Sequence, residues 1–205
     1  MSINNDVNDD WLILINNKDV KTIRKSVNKI IKDIIPSNLK RLSTRGKLSK
    51  QFHLSDSASL YRLGDNSRDD SIIDEKIVEE VKKWVIPEYK KRFEVGEIEL
   101  DLISAWTVVG KKNSWHSIHN HNKGTVQSDN HIGVVIYLEA PKPTFHLRGN
   151  FFYMYEDNIT NYIGYGEVAG KEGQVIIMPS RLWHGAQPCA GKRHTLNFEF
   201  DIIEL

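Results

Sequence analysis

Two spacings of apolar residues divide the chain. Val20, Ile23, Val27, Ile30, Ile31 and Ile34 recur at steps of three and four, the period that lines one face of a helix. A helix is predicted over residues 18–35, ended by Pro36. Ahead of it, the run WLILI (11–15) is short enough to be a strand. A second helix is predicted over 71–93, with Ile73, Ile77, Val81 and Trp84 as its buried stripe and Pro87 kinking or dividing it. Residues 37–70 keep no clean period. Five basic residues between Lys40 and Lys50 read as a solvated loop, or alternatively as a docking patch for an acidic partner, and SDSASLYRLG (55–64) as a strand and turn.

From residue 97 onward the period becomes two. Strands are predicted at 98–109, 114–119, 132–138, 145–155, 162–168, 174–178 and 193–203, rich in Val, Ile, Phe and Tyr and separated by Gly, Pro, Asn or Asp. Short, evenly spaced strands point to a sandwich or barrel. Two helices cannot bury their stripes against each other alone, so they need the sheet. The chain is therefore read as mainly β with N-terminal α, one domain over 1–205. Residues 1–96 form a helical support and 97–205 a β-barrel core.

The totals narrow the function little. With 205 residues and a formal charge of +1, the chain carries no electrostatic signature of nucleic acid or membrane binding, and neither partner is expected. The single cysteine, Cys189, cannot close an internal disulfide, and the polar start MSINNDVNDD does not resemble a signal peptide. A cytoplasmic protein is the expectation.

The histidines change the picture. Four of the eight, His116, His119, His121 and His131, fall within sixteen positions. His119-Asn-His121 on a strand would set both imidazoles on one face, able to share a metal. The best third ligand is His184, in GQVIIMPSRLWHGAQP (173–188), where an apolar strand ends at Pro179 and a turn carries the histidine inward. His116 and His131 are expected to make polar contacts or to back a ligand histidine. Trp106, Trp115 and Trp183 are expected in core or rim packing. His194 alternates with its neighbours and is expected to face away from the metal.

These segments resemble two families. Paired histidines followed by Gly-x5-Pro-x4-His are similar to the metal motifs of the cupin superfamily, although Arg181 and Pro188 stand where a glycine and an asparagine are usual. The closer resemblance is to the iron(II)- and 2-oxoglutarate-dependent oxygenases, through SAWTVVG (104–110), HNH (119–121), IGVVIYL (132–138), PSRLWHG (179–185) and KRHTLNFEF (192–200). It covers about half the chain. It implies a double-stranded β-helix (jelly-roll, cupin-like) barrel with the helices on its outer face. It also implies Fe(II) held by His119, His121 and His184, and 2-oxoglutarate and O2 as cosubstrates. Arg193 would hold the distal carboxylate of 2-oxoglutarate bidentately and Thr195 would add a hydrogen bond. Asn197 and Tyr137 are further candidates to touch the cosubstrate.

The usual iron site of that family is two histidines and a carboxylate. His121 stands in the carboxylate position, and two options stay open: His121 ligates, or Asp129 supplies the carboxylate from its loop. The activity implied is a dioxygenase, a hydroxylase releasing succinate and CO2, with an unknown small-molecule or protein substrate. Its rivals are a three-histidine cupin enzyme without 2-oxoglutarate and a non-enzymatic ligand-binding barrel.

Overall fold

The computed structural model describes residues 12–34, 41–42, 46–56, 72–121, 130–157 and 162–205. Among them the strands form one antiparallel sheet: β1 Ile13–Ile15, β2 Arg41–Leu42, β3 Gly46–Asp56, β4 Ile98–His119, β5 His131–Glu139, β6 Phe151–Asp157, β7 Tyr162–Val168, β8 Val175–Pro179, β9 Trp183–Ala186 and β10 Arg193–Glu204. Their order is β1-β8-β5-β10-β4-β9-β6-β7, with β3 added along β4 and β2 paired to β3.

Each face of this sheet has its own core. Leu196, Phe198, Phe200 and Ile202 of β10 join Val134, Ile136 and Leu138 of β5 and pack against the helices. The alternate residues, Val135 and Tyr137 with Phe151, Tyr153, Ile176, Met178 and Leu182, form a second cluster inside the curl. Both faces of β10 are thus covered, so it reads as a continuous buried run from Arg193 to Phe200.

The helices follow the predicted stripes but start later than expected. Helix α1 is Lys21–Lys29, with Ile23 and Val27 buried. Its continuation widens into a π-helix, Ile30–Ile34, in which Ile30 is buried and Ile31 packs against the core. Pro36 lies outside the described residues. Helix α2, Glu75–Phe93, starts where the Asp74 side chain accepts from Lys76 N–H at 3.0 Å and ends at Glu94 in the left-handed region, φ 53°. It buries Ile77, Val78, Val81, Trp84 and Val85. Pro87 does not divide it: the helix runs through Pro87, which lies on the exposed side with Lys83. The Lys83 carbonyl left without its partner can take water instead. No helix among the described residues is long and apolar enough to cross a membrane.

Three strand expectations are corrected. Where it is described, the basic stretch is strand: Arg41–Leu42 pairs with Gln51 and Lys50 of β3, at the sheet's margin, where charge is favoured; residues 40 and 43–45 lie outside the described residues. The strands predicted at 98–109 and 114–119 are one strand, Ile98–His119. It absorbs the break as a bulge: the register against β3 jumps from Gly110↔Ser49 to Trp115↔Lys47, with Asn113 at φ 65°. The strand predicted from 145 begins at Phe151. Residues 144–147 instead form a turn, closed by Thr144 N–H donating to the Leu147 carbonyl at 3.2 Å and by Leu147 N–H donating to Thr144 Oγ1 at 3.2 Å. Most of 55–64 lies outside the described residues.

Candidate metal centre

The last turn of β4 and the short β9 build the centre. His119 and His184 are cross-strand partners. Between His116↔Ala186 and His119↔His184 the register slips by one residue on β4. Such a bulge re-aims the side chains beyond it. The strand ends at His119, and His121 is fixed by its backbone N–H, which donates to the Ser180 carbonyl at 2.9 Å. Ser180 N–H in turn donates to His131 O at 3.0 Å, so the turn after β8 ties His121 to the start of β5.

The three imidazoles come together. Ring centroids are 4.4 Å apart for His119–His184, 4.8 Å for His121–His184 and 5.3 Å for His119–His121. One ligand atom from each lies within 4.8 Å of the others. Bonds of about 2.1 Å to a common ion would span about 4.2 Å at most, so small side-chain rotations close the set.

The hydrogen bonds fit a metal. His119 Nδ1 is 2.8 Å from the Ser117 carbonyl and His184 Nδ1 is 2.8 Å from the Leu182 carbonyl. A carbonyl only accepts, so each Nδ1 carries the proton and each Nε2 keeps its lone pair for a metal. Phe151 stacks on His184 at 5.4 Å, and Trp106 meets His121 edge-on at 5.2 Å. Three imidazole nitrogen donors suit a first-row divalent ion such as iron.

Asp129, the alternative ligand, lies outside the described residues. His116 stands edge-on to His119 at 4.9 Å, and His131 pairs with Asp201. Trp115 and Trp183 are exposed rather than packed in the core, whereas Trp106 touches the centre.

Arg193, Thr195 and Asn197 alternate along β10, face the interior and are buried. The Arg193 guanidinium donates to Gln187 O at 3.0 Å and lies 3.5 Å from Ser114 O. It therefore bridges β4, which carries His119, to the segment after β9, which carries His184. Both acceptors are neutral carbonyls, so among the described residues the positive charge lies beside no carboxylate close enough for an ion pair. Asn197 Nδ2 donates to Trp106 O at 3.1 Å and lies 3.3 Å from Thr195 Oγ1. Asn197 is thus committed to the backbone behind Trp106. Tyr137 is the cross-strand partner of Thr195. Burial pushes its phenol above the usual range, and nearby Arg193 pulls the other way.

His194 does face away. It is fully buried, and its Nε2 is 2.8 Å from Thr107 Oγ1. The Thr107 hydroxyl gives its one proton to Thr195 O at 2.7 Å, so His194 Nε2–H must be the donor. Sequence reasoning missed Glu199, the next residue in the Arg193–Thr195–Asn197 alternation. It is buried, with Oε1 3.2 Å from His121 Nδ1 and Oε2 accepting from Ser104 Oγ at 2.8 Å.

No family model and no curated protein matches the chain, but solved structures do. A 2OG-Fe(II) oxygenase family oxidoreductase from Burkholderia pseudomallei superposes with TM-score 0.63 at 12% identity, covering 95% of this chain and 85% of that one. The fold is that of the 2-oxoglutarate–iron(II) oxygenases. A Trichoplax adhaerens prolyl hydroxylase, solved with a hypoxia inducible factor peptide, gives TM-score 0.60 at 13% identity, covering 95% and 84%. HygX from Streptomyces hygroscopicus, solved with nickel and 2-oxoglutarate, gives 0.55 at 13%, covering 93% and 82%. The expected double-stranded β-helix with outer helices is thus the observed architecture.

Proposed function

We infer that this chain is an iron(II)- and 2-oxoglutarate-dependent dioxygenase, a hydroxylase. One observation carries the reading: three buried or half-buried imidazoles converge while a buried guanidinium, Arg193, lies between the segments that hold two of them. Iron(II) with 2-oxoglutarate and O2 supplies hydroxylation of a C–H bond, coupled to conversion of the diacid to succinate and CO2.

The chain's own residues bind and orient. His119, His121 and His184 would hold the metal on one side, leaving the other for cosubstrates. Arg193 would take the far carboxylate of 2-oxoglutarate as a bidentate pair, with the Thr195 hydroxyl as a further donor. Gln187, whose carbonyl Arg193 holds, is three residues from His184. Tyr137, Phe151, Tyr153 and Met178 supply apolar walls that keep water out.

His121 in the carboxylate position favours a second reading, a three-histidine enzyme without cosubstrate. An anaerobic titration separates the two. A weak visible band that requires both iron(II) and 2-oxoglutarate, and vanishes in His184→Ala, supports the first. A metal-dependent activity indifferent to 2-oxoglutarate and to Arg193→Ala would replace it with the second.

A further inference from the structure

Two of the three histidines rest their Nδ1 on backbone carbonyls of their own strands. The third does not. His121 Nδ1 lies 3.2 Å from Glu199 Oε1, with side chains only 5% and 9% exposed, at an angle short of a hydrogen bond that the small ring rotation closing the metal set would correct. Glu199 is held from its other oxygen by the Ser104 hydroxyl, 2.8 Å away. Ser104 is the cross-strand partner of Glu199 on β4. Burying a carboxylate costs stability unless it is hydrogen-bonded, and here its two oxygens are directed at one hydroxyl and one imidazole. Val134, Phe198 and Phe200, its neighbours along and across the strands, turn to the opposite core. Fold packing alone gives no reason for an acid at this point.

We propose that Glu199 is a positioning residue of the metal centre: its carboxylate accepts the Nδ1 proton of His121, turns the Nε2 lone pair toward the metal, and replaces from behind the imidazole the carboxylate that related sites place on the metal. The inference rests on reading the histidine triad as a metal centre. A carbonyl is a neutral acceptor, whereas a carboxylate makes a stronger, charge-assisted bond and raises the donor strength of the imidazole it holds. Three neutral imidazoles would leave the ion's double charge uncompensated in a buried pocket. Glu199 offsets part of it from one ring-width away. His121 therefore differs from His119 and His184, whose Nδ1 atoms rest on backbone carbonyls.

The test is Co(II) binding to the full chain after chelator treatment, followed by calorimetry and by the visible cobalt absorption, with near-ultraviolet circular dichroism as the folding control. Glu199→Gln should weaken Co(II) roughly 10- to 100-fold while keeping the native spectrum. Added to His121→Ala, it should cause no further loss. Long-range nitrogen-15 NMR of the metal-free protein should show the His121 tautomer disturbed in Glu199→Gln, and those of His119 and His184 unchanged. The proposal is overturned if Glu199→Gln binds Co(II) within about twofold of the wild type. It is equally overturned if the loss persists in the His121→Ala background, which would make Glu199 a ligand in its own right. A wild-type chain that takes no Co(II) would instead sink the metal-centre reading, and this inference with it.

Discussion

His119 and His184 stand 65 residues apart in sequence and face each other as cross-strand partners, ring centroids 4.4 Å apart. Each is locked by its own Nδ1–H to a carbonyl two residues back, Ser117 and Leu182. The same i−2 lock on both strands makes a preorganised pair of donors. Replacing either by alanine should cut metal affinity by more than the roughly 10- to 100-fold typical of losing an outer partner. Metal content of His119→Ala and His184→Ala after iron(II) or cobalt(II) loading checks this. Either variant retaining stoichiometric, tight metal would contradict it.

On the proposed reading Arg193 has two duties that substitution separates. Its bonds to Gln187 O and Ser114 O are structural, while its charge is suited to an acidic ligand. Arg193→Ala should weaken 2-oxoglutarate binding by about 3 kcal/mol, roughly 100-fold, since charge-assisted bonds are worth about 1.5–3 kcal/mol each. It should also lower the melting temperature by stranding two carbonyls. Arg193→Lys keeps the charge and loses the fork, so it should fall between. Thr195→Ala should cost about 1 kcal/mol, and Thr195→Ser nothing measurable. Titration with 2-oxoglutarate in the presence of saturating metal measures these.

The metal histidines were legible because they need only local patterns: His119-x-His121 at a strand end, and His184 after a strand and Pro179. The register that brings 119 against 184 is not local, and it depends on a bulge that no residue type between 116 and 119 announces. Glu199 was legible in principle, since strand alternation from Arg193 and Thr195 runs on to it. It was passed over because an acidic residue in a strand reads as an exposed position, and β10 is covered on both faces. The paired strands at 41–42 and 46–56 were hidden for the opposite reason: a lysine-rich segment lacks the apolar alternation by which strands are read. The helices were recognisable from their stripes and the second from its end at Phe93, but both start later than expected, and Pro87 does not break the second because it sits where losing a hydrogen bond is cheap.

His194 predicts a pH dependence of stability. Burial first, then nearby Lys192, pushes its pKa down to about 4. Its Nδ1 has no hydrogen-bond partner among the described residues, so a proton there would be buried and unmatched. The folded pKa lies below the unfolded value of about 6.5, so between the two the unfolded chain binds the extra proton. Stability contributed by this group is therefore fully present above about pH 6.5 and declines as pH falls toward 4. The loss is on the order of 3 kcal/mol. Denaturant melts of metal-free protein at pH 7.5 and 4.5 should show this decline, and His194→Gln should be measurably less sensitive over that window. An identical pH slope in the variant would refute the assignment.

Gly185 follows the ligand His184, and its lack of a side chain sets the spacing of the centre. A Cβ there would lie 2.8 Å from the His116 backbone oxygen and 2.5 Å from the Phe152 ring. The ring can swing aside, because Phe152 lies on the outer, partly exposed side of β6. The His116 oxygen cannot, because it belongs to the strand that carries His119. Gly185→Ala must then push β9 away from β4, and the displacement falls on the His119–His184 pair one step along the ladder. The variant should lose metal affinity about 10-fold or more, comparable to disturbing an outer partner, together with about 1–3 kcal/mol of stability from the overpacked contact. A second substitution distinguishes the two effects. Phe152→Ala removes the aromatic clash but not the backbone one, so in Gly185→Ala it should leave the metal defect in place. If Phe152→Ala instead restores full metal binding, the ring, and not the backbone of His116, sets the position of His184.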